Sequence, residues 1–223
     1  RRHYIDWARG GHGHNDILSF EAMLDGVYLV TDCGAYLYTA NAIERNNFRG
    51  TAYHNTPLID GVEINRFIRP DYLWTLRDDA VPHVSEWLTD ADNSRVVMSH
   101  TGYGKLAAPV IVRRTMTLNS RGRLTIADVF EGTADHKIET PLHLATGVRA
   151  EHCADEVVLT AGNKRFSVTS NTAAGSWDLS IEAARVSPTY GVVQPTSRLV
   201  WRRSGPLKPL TVTIEPISTG LER

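Results

Sequence analysis

What most constrains this chain is a series of short β-rich runs, each closed off by turn residues and recurring at intervals of about ten residues. Runs at 27–31, 95–99, 110–118, 124–130, 137–144, 157–160, 165–169, 176–182, 197–202 and 210–214 all read as strands. The tetrapeptides Asn119-Ser-Arg-Gly122 and Ala161-Gly-Asn-Lys164 separate neighbouring runs and predict two hairpins. Pro141 lies inside the run 137–144, so an edge or a bulge is expected there, because proline cannot donate to a ladder. The only helical candidate is 16–24, with Asn15 or Asp16 as its cap. The stretch 70–92, with several acids and tryptophans, reads as a long loop crossing the sheets. The expectation is an all-β antiparallel β-sandwich, one domain over 1–223, with a short helix near the N-terminus.

A net charge of −1 at a pI of about 6.8 supplies no broad basic field, which argues against nucleic acid as a partner. An acidic polysaccharide would need a local cationic cluster, and Arg45, Arg49, Arg66 and Arg69 could form one. No apolar run reaches the ~18 residues of a membrane helix. The two cysteines, Cys33 and Cys153, read as free thiols rather than as one disulfide. The first residues, Arg1-Arg2-His3-Tyr4, carry neither an initiator Met nor a leader, so the chain reads as part of a longer protein.

The richest stretch for chemistry is Gly10-Gly-His-Gly-His-Asn-Asp16. On an extended chain two histidines two apart point to the same side, which suits two ligands, or one ligand beside one acid–base group. Asp32 closes a β-run, and His54 follows Thr51-Ala-Tyr. Two imidazoles and a carboxylate make a donor set for zinc. They are scattered over some forty positions, however, and from chemistry and spacing alone hydrogen-bonded turn histidines are the favoured reading. His3, His83, His100, His136, His143 and His152 show no ligand spacing and read as surface or hydrogen-bonded histidines. Trp7, Trp74 and Trp87 could stack on sugar rings, although core packing is the expected role of each. Asn15 and Asn55 are expected to fix loop backbone, and Asp16 either orients a histidine or caps the helix.

Three ordered blocks carry a resemblance. Gly11-His-Gly-His-Asn-Asp-Ile-Leu-Ser-Phe-Glu21, Val30-Thr-Asp-Cys-Gly-Ala-Tyr-Leu-Tyr38, and Arg45-Asn-Asn-Phe-Arg-Gly-Thr-Ala-Tyr-His-Asn-Thr56 with Asp60-Gly61 resemble the C-terminal part of the heparinase II/III-like polysaccharide lyases. Beyond residue 68 the likeness rests on strand pattern and on Val186-Ser-Pro-Thr-Tyr-Gly191. The resemblance implies that His14, Asp32 and His54 hold one structural zinc ion, and that His12 and Tyr38 are catalytic. Tyr36 stands close enough that the sequence does not separate the two tyrosines. Arg45 and Arg49 would either bind substrate or pair with a structural acid. An N-terminal helical toroid would supply the remaining catalytic groups as the partner domain, in a periplasmic or secreted protein. Without that toroid the isolated chain is expected to be inactive, to expose apolar surface and to self-associate, with a homo-oligomer as one outcome. The implied reaction is β-elimination on a uronic-acid polysaccharide. Its rivals are a binding module with purely structural zinc, and a zinc hydrolase.

Overall fold

A computed structural model describes residues 12–171 and 176–217. Its core lies between two antiparallel sheets, as expected. Eight strands form the larger: β4 (Pro82–Thr89), β5 (Asn93–Tyr103), β6 (Val110–Asn119), β7 (Leu124–Glu131), β14 (Leu210–Pro216), β11 (Lys164–Ser170), β10 (Glu156–Ala161) and β9 (Arg149–Cys153), in that spatial order. The smaller runs β12 (Asp178–Thr189), β13 (Val192–Pro206), β8 (Asp135–His143) and β3 (Leu58–Ile59). Alternate residues turn inward, so Leu124, Ile126 and Phe130 of β7 meet Ile138, Leu142, Leu199 and Trp201 of the opposite sheet in one apolar core. Both expected hairpins form. In the first, Gly122 takes a φ of 77°, and Asn119 Oδ1 accepts from the backbone N–H of Arg121 and Arg123. Pro141 pairs with Val200 of β13, while β3 reaches only Ile138 and Glu139 on the other side of β8. β8 is therefore an edge at Pro141, where the missing N–H leaves no ladder bond broken.

Two expectations fail. No helix forms at 16–24: Leu18 takes a φ of 69°, and Ala22–Leu24 is strand β1, paired with β2 (Val27–Val30). The cause is Asp25-Gly26, whose φ values of 48° and 72° make the two-residue turn that matches strand twist. The short helix instead spans Ala42–Arg49 (α1). Asn41 caps it by accepting from the N–H of Ile43 and Glu44 at 3.0 and 3.1 Å. The stretch 70–92 is also not all loop, since 82–89 is the edge strand β4.

The tryptophans divide differently from expectation. Trp177 and Trp201 are core residues, whereas Trp74 and Trp87 are 39% and 74% exposed. Trp7 and His3 lie outside the described residues. With Leu88, Met23 and Leu118, Trp87 borders an apolar groove beside β4. Both cysteines are free, Cys33 buried and Cys153 exposed. Among the described residues, no helix is long and apolar enough to cross a membrane.

Candidate active site

The histidine-bearing loop, residues 12–20, is fastened from below by its own polar neighbours. Asn15 is fully buried. Its N–H donates to Arg49 O, its Nδ2 to Glu63 Oε2 and Asn65 O, and its Oδ1 accepts from Asn65 N, all within 2.7–2.9 Å. Glu63 Oε2 also accepts from the N–H and hydroxyl of Thr51 at 2.7 Å, so one carboxylate joins the loop to the segment leading into His54. Asn55 repeats the device. Its Nδ2 donates to Phe20 O and Thr31 O, and its N–H donates to Ser19 Oγ. Asn15 and Asn55 thus fix backbone as expected. Glu63 and Asn65 carry no motif and escaped the sequence reading.

The Asp-x-Gly turn after β2 has a steric reason. Gly34 has a φ of 75°, and a Cβ there would stand 2.1 Å from the carbonyl oxygen of Ser187. Only glycine lets β12 pass so close. The N–H of Ser187 in turn donates to Cys33 O at 2.7 Å. Gly34 N–H donates to Asp32 Oδ1 at 2.8 Å, which aims the other carboxylate oxygen at His54.

Asp32 and His54 are in contact, with the His14 ring beside His54. His54 Nδ1 lies 2.7 Å from Asp32 Oδ2, and the rings of His14 and His54 are 5.2 Å apart. His54 is fully buried, and its Nε2 has no partner among the described residues. Burial, with His54 and Arg45 beside it, lowers the His14 pKa to about 3, so this imidazole is neutral at physiological pH. Burial pushes the Asp32 carboxyl upward, but the hydrogen bond and charge of His54 and the N–H of Gly34 outweigh it and leave the pKa below its ordinary value. Neutral imidazoles and an ionised carboxylate are the forms that ligate zinc. The residue types suit zinc, but His14 is not among the donors that lie within 4.8 Å of one another, and Arg45 Nη1 donates to His14 Nε2 at 2.6 Å.

Cys33, Asp32 and His54 have one potential donor atom each within 4.8 Å of one another. The thiol is the weaker candidate. Burial raises its pKa well above the ordinary range, and its Sγ contacts the carbonyls of Gly34 and Phe48, both at 3.2 Å.

His12 and Tyr38 meet edge to face, ring centroids 4.9 Å apart. Trp74 stands 5.8 Å from His12 and 5.9 Å from Tyr38, and Tyr190 stacks on Tyr38 at 5.3 Å. Tyr36 is elsewhere, tilted against Phe48 at 5.2 Å. Tyr190 comes from the β12–β13 turn, and the Pro-Thr-Tyr-Gly likeness was its only sequence signal. Trp74 is brought in by α1, whose Arg45, Asn46 and Arg49 donate to the carbonyls of Leu73, Pro70 and Tyr72.

Arg45 and Arg49 have no exposed surface in the described chain. The Arg45 guanidinium lies 5.3 Å from the Tyr38 ring centroid and that of Arg49 4.5 Å from Phe67. Burial lowers both pKa values; for Arg49, with Arg45 adding to it, to about 10, so both stay charged. Each keeps one buried nitrogen without a partner, Arg45 Nη2 and Arg49 Nη1. Among the described residues neither forms a salt bridge. Arg66 pairs instead with Asp79 at 2.7 Å, and Arg69 with Asp71 at 3.2 Å.

Residues 5–215 match the family described as Heparinase II/III-like, C-terminal. The chain belongs to that family. Among solved structures, heparan sulfate lyase HepC from Pedobacter heparinus is 16% identical with a TM-score of 0.75, the match covering 93% of this chain and 31% of that one. A structure titled heparinase III is 18% identical with a TM-score of 0.74, covering 96% of this chain and 32% of that one. The methylated-lysine form of the heparinase III BT4657 gene product gives 16%, 0.75, 94% and 31%. At these identities the likeness establishes the antiparallel sandwich fold. The chain spans about a third of the length of these structures. Among curated proteins none matches it.

Proposed function

We propose that this domain supplies half the active site of a polysaccharide lyase that cleaves a uronic-acid polymer, such as a glycosaminoglycan or alginate, by β-elimination. The observation that carries the reading is the His12–Tyr38 pair standing over two buried arginines that form no salt bridge among the described residues. A cationic floor under an aromatic wall suits an anionic sugar. Trp74 and Tyr190 offer faces for the pyranose rings, and the two guanidiniums provide positive charge near its carboxylate, that of Arg49 partly offset by Glu63. Both arginines act from beneath, through the field and through the Trp74 segment that they hold.

Elimination removes the proton beside the uronate carboxylate and expels the 4-linked sugar oxygen. The carboxylate must be neutralised so that the carbanion-like charge is tolerated. His12 and Tyr38 are the acid–base pair, one taking the proton and the other protonating the leaving oxygen. Among the described residues around His12 no Asn takes the charge-neutralising part, and in this reading the N-terminal helical toroid provides it. His14, Asp32 and His54 would hold the structural zinc, which contributes rigidity to the loop bearing His12. A polymeric extracellular substrate goes with a periplasmic or secreted enzyme.

The test is an ultraviolet assay for unsaturated product on heparan sulfate, chondroitin, hyaluronan and alginate. The full-length protein should release the chromophore from at least one polymer, and the isolated chain from none. Binding without turnover by the full-length protein on all four would reverse the reading in favour of a binding module.

A further inference from the structure

A second cavity, of about 330 Å³, opens on the other side of the His54 segment, lined by Tyr53, His143, Ala183, Ala184, Arg185 and Arg198. None of the cleft residues His12, Tyr38, Trp74 or Tyr190 borders it.

The hydrogen-bonding character of this pocket is fixed by its surroundings. Asn55 Nδ2 donates to two carbonyls, at 2.9 and 2.8 Å, which sets the orientation of its amide. Its Oδ1 accepts the His143 N–H at 2.7 Å and faces His143 Nδ1 at 3.1 Å. An amide oxygen only accepts, so Nδ1 carries the proton. His143 is 2% exposed, and burial with Arg198 and His54 nearby lowers its pKa to about 3. The ring is neutral, and Nε2 is a bare acceptor that takes no hydrogen bond from the described residues. Across the pocket Arg185 Nη2 donates to the Tyr53 oxygen at 2.9 Å, which leaves the phenolic hydrogen free to be donated.

The two guanidiniums add little net charge. Arg185 Nη1 pairs with Glu44 at 3.1 Å, and Arg198 Nη2 with Glu182 at 3.0 Å. The contrast with Arg45 and Arg49 is direct: those two form no salt bridge among the described residues, while this pocket presents one acceptor, one donor and charges already paired. The small side chains of Ala183 and Ala184 leave the room.

We propose that this pocket is a second carbohydrate site, which takes one neutral pyranose ring. One sugar hydroxyl donates to His143 Nε2, and another accepts from the Tyr53 hydroxyl. A hydroxyl group both donates and accepts, which matches the pair. A carboxylate or sulfate offers no hydrogen to His143 Nε2, and the arginines repel a cation. The proposal stands independently of any elimination in the cleft.

Titration calorimetry on the full-length protein tests it, with methyl β-D-glucopyranoside, methyl β-D-galactopyranoside, methyl α-D-mannopyranoside and methyl β-D-glucuronide as probes. At least one neutral glycoside should bind saturably. His143→Phe should weaken it about tenfold or more, the loss of one well-formed hydrogen bond. Ala183→Leu, at an exposed position on the pocket wall, should abolish it without unfolding the protein. The glucuronide should keep whatever binding it has in Ala183→Leu, since the cleft accounts for it. No saturable binding by any neutral glycoside would overturn the proposal, as would binding that Ala183→Leu leaves intact, or a crystal soak that finds only water in the pocket.

Discussion

Arg114 of β6 and Asp128 of β7 face each other across the ladder, joined by two 2.7 Å hydrogen bonds, and both side chains are 1% exposed. The remaining nitrogen, Nη1, donates to the carbonyls of Leu18, at 2.9 Å, and Asn55. One buried guanidinium thus ties the larger sheet to the histidine loop and to the residue after His54. Removing it would strand Asp128 as an uncompensated buried charge. Arg114→Met should destabilise the domain by about 3–5 kcal/mol. Arg114→Met with Asp128→Leu should recover much of that loss but leave the loop less well held. Urea unfolding of the three proteins measures both effects, and a single mutant within 1 kcal/mol of the parent would refute the assignment.

The strands that the sequence revealed are those with an inward apolar face. β7, for example, alternates buried Leu124, Ile126 and Phe130 with less buried residues. Two of the elements that escaped notice had no such face. β4 is exposed at nearly every position, so its pattern carried no alternation. The buried residues of α1 are Arg45, Phe48 and Arg49, so a helix whose inner side is mostly guanidinium looked polar all round. The helix expected at 16–24 lost to the Asp25-Gly26 turn, a local signal stronger than the weak period before it. Likewise the ordered motifs marked His12, His14, Asp32, Tyr38 and His54. Trp74 and Tyr190 reach the same cleft through tertiary contacts that local spacing does not encode.

The metal assignment separates His14 from Cys33. The purified full-length protein should hold about one zinc per chain, and His54→Ala or His14→Ala should lose it together with thermal stability. Cys33→Ala should keep it, because a thiol held protonated by burial is a poor ligand. Metal analysis by mass spectrometry, with thermal melts before and after chelation, distinguishes these cases. Zinc lost from Cys33→Ala and kept in His14→Ala would exchange the two ligands.

Acid should destabilise the sandwich in a window set partly by His100. Its side chain is fully buried, Nδ1 accepts from Gly102 N–H at 3.0 Å, and burial followed by Arg114 and Lys105 lowers its pKa from 6.5 to about 4. The unfolded chain therefore takes up this proton first as pH falls. Stability that is full above pH 6.5 declines toward pH 4, by about 3 kcal/mol from this group. His14 and His143, both lowered to about 3, add to the same slope. His100→Asn keeps an acceptor for Gly102 but cannot titrate. Between pH 4 and 6.5 its stability should fall less steeply, by about one proton's worth, or ~1.4 kcal/mol per pH unit. Unfolding free energies measured at half-unit steps check this, and parallel curves for mutant and parent would contradict it.

The last prediction concerns which tyrosine does chemistry. Tyr36 and Tyr38 lie two apart, and sequence alone does not choose between them. Tyr36 takes a left-handed φ of 54°, its carbonyl accepts from Gly191 N–H at 2.9 Å, and its ring packs on Phe48. Its role in that arrangement is packing, which phenylalanine keeps. Tyr38 lies against His12, Trp74 and Tyr190, with the Arg45 guanidinium over its ring. Phenylalanine there keeps the stack and removes only the hydroxyl. In the full-length protein, Tyr38→Phe should therefore fold, hold zinc and bind polymer normally while kcat falls at least ~10²-fold, the scale of an acid–base group. Tyr36→Phe should stay within about threefold of the parent in kcat. His12→Ala should match Tyr38→Phe in rate, and the double mutant should lose little more than either single, because the two act on one proton path. Initial rates of unsaturated product against polymer concentration give both kcat and KM. A Tyr38→Phe enzyme with near-normal kcat, or equal losses from the two tyrosine mutants, would remove Tyr38 from the reaction.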